Sequence, residues 1–139
     1  MAVLTTTHDI TTKGRDDVLD ITDAVQDAVT RAKLKDGLAT VFVTGSTAGV
    51  TTIEYEPGLV EDVKEAVRRL FPESLRYAHH EAAGDDNGFS HLRASFLGPS
   101  LSIPFTDGRL RLGTWQQIVL LDFDVRPRQR TYVIQLLGE

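Results

Sequence analysis

Ile21-Thr22-Asp23-Ala24-Val25-Gln26-Asp27-Ala28-Val29-Thr30-Arg31-Ala32, followed beyond Gly37 by Leu38-Ala39-Thr40-Val41-Phe42-Val43, decides the fold class, because the hydrophobic period changes inside it. In the first part Ile21, Ala24, Val25, Ala28, Val29 and Ala32 recur at steps of three and four, which places them on one face of a helix. Thr22 or Asp23 can cap its start, Lys33 and Lys35 suit its C-terminal dipole, and Gly37 can end it. The second part is apolar and β-branched and predicts a strand. Helix followed by strand, with further strands on both sides, points to an α+β domain.

Working outward, Thr5 to Thr7 and Val18 to Ile21 are short β-rich stretches separated by a turn-like Thr12–Asp17 link. Val50 to Tyr55 is another strand, and Gly45-Ser46-Thr47-Ala48-Gly49 before it predicts either a hairpin or a tight backbone approach. Pro57-Gly58 opens a second amphipathic helix with Leu59, Val63, Ala66, Val67 and Leu70 on one face, stopped by Pro72. Residues 72–90 are polar and aperiodic, as a functional or disordered loop would be. Ser90 can cap a short helix to Leu97, with Gly98 past its end, or the same residues can form a strand. Leu101–Phe105, Arg109–Leu112, Ile118–Phe123 and Thr131–Leu137 are four more strands, the first two joined by the hairpin signal Asp107-Gly108. Two main helices among about eight strands give a sheet-rich core in a single domain over residues 1–139.

Bulk properties remove several function classes. The absence of cysteine excludes a disulfide framework, a thiolate nucleophile and cysteine-based metal sites. A net charge of −5 disfavours nucleic acid as partner, and no apolar run reaches the ~18 residues of a membrane span. No basic-then-apolar leader is visible, so a cytoplasmic protein is expected.

Chemistry concentrates in residues 77–93. His79, His80 and His91 fall within thirteen residues, beside Glu81, Asp85, Asp86 and Asn87. Imidazole and carboxylate are what a divalent metal, Zn²⁺ or Mg²⁺, takes when thiolate is absent, and imidazole is also the commonest acid or base near neutral pH. A solvated loop in which Asp and Asn make turns is the plainer reading. Glu54 and Glu56, two apart at a strand end, can share a face and hold a metal, or simply meet solvent. Arg126, Arg128 and Arg130 can grip phosphate or form a solvated connection or subunit contact, and Ser95 adds a hydroxyl near Arg93. Trp115 reads as packing more readily than as a stacking platform.

These motifs resemble the YjbQ-like family, small bacterial and archaeal proteins often labelled secondary thiamine-phosphate synthases. The likeness covers nearly the whole chain and rests on residues 46–54, Tyr77-Ala78-His79, residues 90–98, Asp107-Gly108-Arg109-Leu110, Leu112-Gly113-Thr114-Trp115-Gln116 and the terminal Leu137-Gly138-Glu139. It implies a sandwich-like α+β fold and a homotrimer with sites at or near subunit contacts. It also implies a transferase joining a hydroxymethylpyrimidine diphosphate to a thiazole phosphate. On that resemblance His79, His91 and Glu54 are the catalytic positions. His79, His91, Glu54 and Glu56 are the expected metal ligands, and Arg93, Ser95, Arg128 and Arg130 are expected to bind the phosphorylated metabolite. A metal-dependent phosphoester hydrolase and a non-catalytic metal- or metabolite-binding trimer are the rival expectations. One departure stands out: the best-known branch has a histidine where this chain has Gly45. Either His80, Glu56 or a partner subunit is then expected to take its place, or the activity differs from that of the branch.

Overall fold

Alternating burial along the strands sorts them into two antiparallel sheets that share one core. The computed structural model describes residues 1–139. The chain runs β1 (Ala2–Thr12), β2 (Asp17–Asp20), α1 (Thr22–Ala32), β3 (Gly37–Thr44), β4 (Ala48–Ile53), α2 (Pro57–Leu70), α3 (Ala78–Ala83), α4 (Gly88–Leu97), β5 (Ser100–Thr106), β6 (Arg109–Leu110), β7 (Gln117–Asp122) and β8 (Arg128–Gly138). The larger sheet has the order β1-β8-β3-β5-β6 and the smaller one β2-β7-β4. No helix is long and apolar enough to cross a membrane.

The inward residues of β3 and β8, Ala39, Val41, Val43, Ile134 and Leu136, meet Val25 and Val29 of α1 and Ile118 and Leu120 of β7 in one cluster. The next residues of β7, Val119 and Leu121, face the other way. They join Val18, Phe123 and Ala94 under α2 and α4. The period of two thus divides β7 between both cores, which is why its whole run is apolar. Three layers result: the large sheet, then α1 with the small sheet, then α2 and α4.

Several local expectations change. Gly45–Gly49 is not a hairpin, because β3 and β4 lie in different sheets. The tight approach is real: a Cβ on Gly49 would lie 2.7 Å from Leu97 Cδ2 and 2.9 Å from Gly98 O. Residues 78–83 of the expected loop are helical. Residues 88–97 form a helix rather than a strand, starting before Ser90, whose hydroxyl is buried without a protein partner. At α1 neither Thr22 nor Asp23 caps; Asp20 accepts from the Thr22 backbone N–H at 2.9 Å. The helix ends at Ala32 with Lys33 left-handed, and Gly37 begins β3. Asp107-Gly108 does turn the β5–β6 hairpin, with both residues at positive φ as a type I′ turn requires.

Arg93 is the correction with the largest consequence. Its side chain is 1% exposed, and Nη1 donates to Asp16 Oδ1 at 2.6 Å. Nε and Nη2 donate to Phe71 O at 3.2 and 2.9 Å, and the guanidinium lies 4.8 Å from the Phe89 ring centroid. It ties α4 to the end of α2 and to the β1–β2 link, so it is not free for phosphate. Asp16 is itself held at positive φ in a run with Gly14 and Arg15, a conformation disfavoured for residues with a side chain. Arg93→Ala removes the close partner of the buried Asp16 carboxylate, leaving it Arg68 at 3.4 Å, and is expected to lower unfolding free energy by about 3 kcal/mol. Urea titration checks this, with Arg93→Met plus Asp16→Asn recovering part of the loss. A single variant within about 1 kcal/mol of wild type would refute the role.

Candidate functional site

α3 and α4 meet at an angle that depends on Gly88. A Cβ there would lie 2.6 Å from Tyr77 Cβ, so only glycine lets α4 begin against α3. Tyr77 anchors this corner by donating its hydroxyl to Pro72 O at 2.6 Å, and burial raises its pKa above the ordinary phenol value against the opposing charge of Arg93. His79 on α3 and His91 on α4 are thereby brought edge to face, ring centroids 4.5 Å apart. Both border a hollow of about 420 Å³ lined by Tyr77, Ala78, His79, Gly88, His91 and Leu92.

Asn87 stands at the N-cap of α4, where an Asn side chain usually accepts from its own helix. Here it does not cap. Its Oδ1 lies 3.2 Å from His79 Nε2, and an amide oxygen only accepts. His79 Nε2 must then carry the proton, which leaves Nδ1 bare in the neutral ring. The vacated cap is filled by His80, whose Nε2 accepts from the Gly88 N–H at 2.8 Å. An accepting Nε2 places the ring proton on Nδ1. His80 is therefore occupied in holding α4.

Behind Asn87 lies a buried polar ladder. Asp124 Oδ2 accepts from Arg128 Nε and Nη2, each at 2.7 Å, and Oδ1 accepts from the Val125 N–H at 2.8 Å. Burial pushes this carboxyl up, but the Val125 N–H, the Arg128 hydrogen bond and charge, and Asn87 outweigh it and hold its pKa below the ordinary value. Arg130 Nε and Nη2 bind Asp122 Oδ2 and Oδ1 at 2.8 and 2.7 Å, and Nη2 also reaches Thr47 Oγ1 at 2.5 Å. Thr47 Oγ1 lies 3.4 Å from Asp124 Oδ2. Polar contacts therefore run from Arg130 through Asp122 and Thr47 to Asp124 and Arg128. Gly45 is part of the arrangement: with φ +134°, its missing Cβ would sit 2.9 Å from Arg130 Nη1.

The family model described as UPF0047 protein YjbQ-like matches residues 6–139. The chain belongs to the YjbQ-like UPF0047 family. A UPF0047 protein of Archaeoglobus fulgidus is 38% identical over 126 residues, covering 91% of this chain and 95% of that one. Among solved structures, a YbjQ-like protein of unknown function from Sulfolobus solfataricus P2 superposes with a TM-score of 0.90 at 33% identity, covering 99% of this chain and 100% of that one. A hypothetical protein from Aeropyrum pernix K1 gives a TM-score of 0.91 at 36% identity, with 98% and 99% coverage.

Against this fold the expected site residues of the YjbQ-like chain divide. His79 and His91 come together, whereas Arg128 and Arg130 are engaged by Asp124 and Asp122. Glu54 is exposed in the link after β4. Glu56 is the N-cap of α2, its two oxygens accepting from Gly58 N at 2.9 Å and Leu59 N at 2.7 Å, and those bonds hold its pKa below the usual carboxylate value. It is therefore engaged as a cap. Ser95 donates back to His91 O at 2.8 Å within its helix. No three histidine or carboxylate side chains are grouped as metal ligands within the chain, so the expected set of His79, His91, Glu54 and Glu56 does not assemble in one subunit. Neither substitute within the chain for the histidine missing at Gly45 is free, since His80 and Glu56 are both capping helices. Asn87 and Asp124 are the members that the sequence reading left out. The matched spacing of Asp122-x-Asp124 and Arg128-x-Arg130 across one short link was the available signal.

Two measurements test this geometry. Histidine ¹⁵N shifts are expected to show His79 as the Nε2–H tautomer and His80 as Nδ1–H, with Asn87→Ala releasing His79 into a mixture and leaving His80 unchanged. A mixed His79 tautomer in the wild type would refute the tether. Because the folded Asp124 pKa is lowered, its stabilisation is complete above the unfolded value near 3.8 and is lost as pH falls through the lower folded value. The stability gap between wild type and Asp124→Asn should therefore be widest near pH 7 and shrink below about pH 4 in urea titrations. A gap that widens on acidification contradicts it.

Proposed function

We propose that this YjbQ-like protein is a small-molecule transferase of the thiamine-phosphate synthase type, with proton transfer at His91 and a hydrogen-bond acceptor at His79. The observation that carries the reading is the imidazole pair at the mouth of the hollow, ring centroids 4.5 Å apart, with one ring oriented by the Asn87 carbonyl. That is how a neutral acceptor is prepared: the partner on one nitrogen fixes the tautomer and leaves the other nitrogen for the reactant.

In the reaction the thiazole nitrogen forms a bond to the pyrimidine methylene carbon as the carbon–oxygen bond to diphosphate breaks. The electron pair leaves with the diphosphate, and a protonated imidazole at His91 supplies a proton to it. The thiazole nitrogen carries no proton and the step releases none, so His79 Nδ1 is left to accept a hydrogen bond from the bound substrate. Arg93 takes no part. Recognition of the phosphorylated metabolite falls to the Pro127 turn, where Arg126 is exposed and Arg128 is partly so. A divalent ion would find only two imidazoles within one chain, so no step is routed through a metal. The homotrimer implied by the family resemblance belongs to the same reading, as the source of any further ligand. Hydrolysis of a phosphoester is the second reading, favoured by the openness of His79, whose side chain is 36% exposed and accessible to water.

His91→Ala is expected to lower product formation by about 10²–10⁴-fold with the fold intact, the range for loss of a general acid or base. Undiminished turnover would sink the assignment. A phosphatase panel separates hydrolysis from transfer. Metal quantification on protein purified without chelator or nickel resin is expected to give less than one ion per chain, and stoichiometric metal lost in both His79→Ala and His91→Ala would replace proton transfer by metal chemistry.

A further inference from the structure

The geometry points to a second ligand site, a hollow between α1 and β1 that takes an aromatic α-amino acid. It shares no element with the hollow beside His79 and His91, so it goes beyond the transferase reading and stands whether or not that chemistry does. The space follows from the sequence of α1. Val25 and Val29 fill the core, whereas Ala24, Ala28 and Ala32, at steps of four, line the hollow with methyl groups. Longer side chains there would close the gap between helix and sheet; alanine leaves it open. Ile134 and Leu136 of β8, both buried, form its floor, and Leu4 of β1, 40% exposed, stands beside it. The volume is about 450 Å³, inside the range of roughly 300–1,000 Å³ for small-molecule sites.

The rim is polar, and its groups are of two kinds. His8 is held in place: its Nε2 lies 2.8 Å from Thr6 Oγ1, and its ring stacks on Tyr132 with centroids 5.1 Å apart and planes at 15°. An aromatic group ordered before any ligand arrives costs little to use. Asp27 and Arg31 are the opposite case. Both line the hollow, one helical turn apart and exposed, and neither side chain makes a hydrogen bond or ion pair within the chain. An acid four residues before a base is the favoured orientation for a helix pair, and Glu65 and Arg69 on α2 close in that way at 2.9 Å. Asp27 and Arg31 have the same spacing and stay apart. Arg93, Arg128 and Arg130 each have an aspartate; Arg31 has none.

The occupant follows from this pair of charges. A simple anion would meet the Asp27 carboxylate, and a simple amine would meet the Arg31 guanidinium. A zwitterion satisfies both, its ammonium donating to Asp27 and its carboxylate accepting two N–H bonds from Arg31. Side chains at i and i+4 stand about 5–6 Å apart at Cβ, a span that brackets the head of an α-amino acid. Alanine, isoleucine and leucine require an apolar body below that head. The volume and the ordered His8 ring favour an aromatic body over a short alkyl one. A net charge of −5 draws in no anion by the overall field, so recognition rests on the local pair. The ligand therefore differs in class from the phosphorylated metabolite of the other hollow.

Calorimetric titration of the full chain with L-phenylalanine tests this. Saturable binding with Kd below about 1 mM is expected. 3-Phenylpropanoate and phenethylamine, each with half of the head group, are expected to bind at least tenfold more weakly, as is glycine, which lacks the body. Asp27→Asn and Arg31→Gln each weaken phenylalanine binding at least tenfold with unchanged circular dichroism, and Ala28→Leu fills the hollow and abolishes it. Arg109→Gln on β6 is the control that leaves binding unchanged. No saturable heat with phenylalanine, tyrosine or tryptophan up to about 10 mM overturns the proposal. Binding that survives in all three variants places the ligand elsewhere and overturns it as well. 3-Phenylpropanoate bound as tightly as phenylalanine overturns the paired recognition of a zwitterion. Turnover lost in His91→Ala with phenylalanine binding intact concerns only the other site.

Discussion

The Arg130–Asp122 pair joins the two sheets, and the buried polar ladder hangs from it. Arg130 projects from β8 of the large sheet and Asp122 ends β7 of the small one, with both residues buried. Taking two charges out of water costs several kcal/mol per ion, and attraction offsets that only with good geometry and satisfied lone pairs. Both conditions hold. The contact is bidentate, and Thr12 and Thr47 hydroxyls bond the remaining positions, Thr12 Oγ1 donating to Asp122 Oδ2 at 2.5 Å. Such a pair is directional where an apolar contact would not be, so it sets how the ends of β1, β7 and β8 and the β3–β4 link meet. Asp124, two residues on, is placed by that meeting.

Asn87 gives up the usual role of an N-cap residue, and His80 takes that role, so two residues exchange what each would do in an isolated helix. The Asn87 carbonyl is thereby left for His79, which lies on a six-residue helix with no buried residue of its own. The arginines around this region are each matched by a carboxylate, Arg76 by Glu81, Arg93 by Asp16, Arg128 by Asp124 and Arg130 by Asp122. The site is therefore less cationic than the run of arginines in the sequence suggests, which favours proton transfer over a broad phosphate cradle.

The helices α1 and α2 and the Asp107-Gly108 hairpin were legible because each is decided locally, by a period of 3.6 or by a turn that demands positive φ. What was not legible was decided at a distance. Gly45–Gly49 reads as a hairpin until Arg130 and Leu97, far along the chain, claim the space a side chain would fill. α3 has no apolar stripe, since Ala78-His79-His80-Glu81-Ala82-Ala83 is held by its ends rather than by burial. Arg93 resembles a ligand-binding arginine in sequence because a buried ion pair and a phosphate site select the same side chain; only the location of Asp16 separates them. His79 and His91 were found because titratable groups cluster in sequence there, whereas Asn87, which orients His79, and Asp124, which binds Arg128, lie on different elements.

Gly45 now has a physical meaning beyond the absence of an imidazole. The space beside it is taken by Arg130 Nη1, and the backbone there has φ +134°, where a side chain is strained. A histidine could return to this position only if the guanidinium moved, and the guanidinium is held by Asp122 and Thr47. Loss of the side chain and placement of the inter-sheet pair are thus one feature. Beside that fixed inter-sheet pair the chain presents two imidazoles, His79 oriented by the Asn87 carbonyl and His91 edge-on to it.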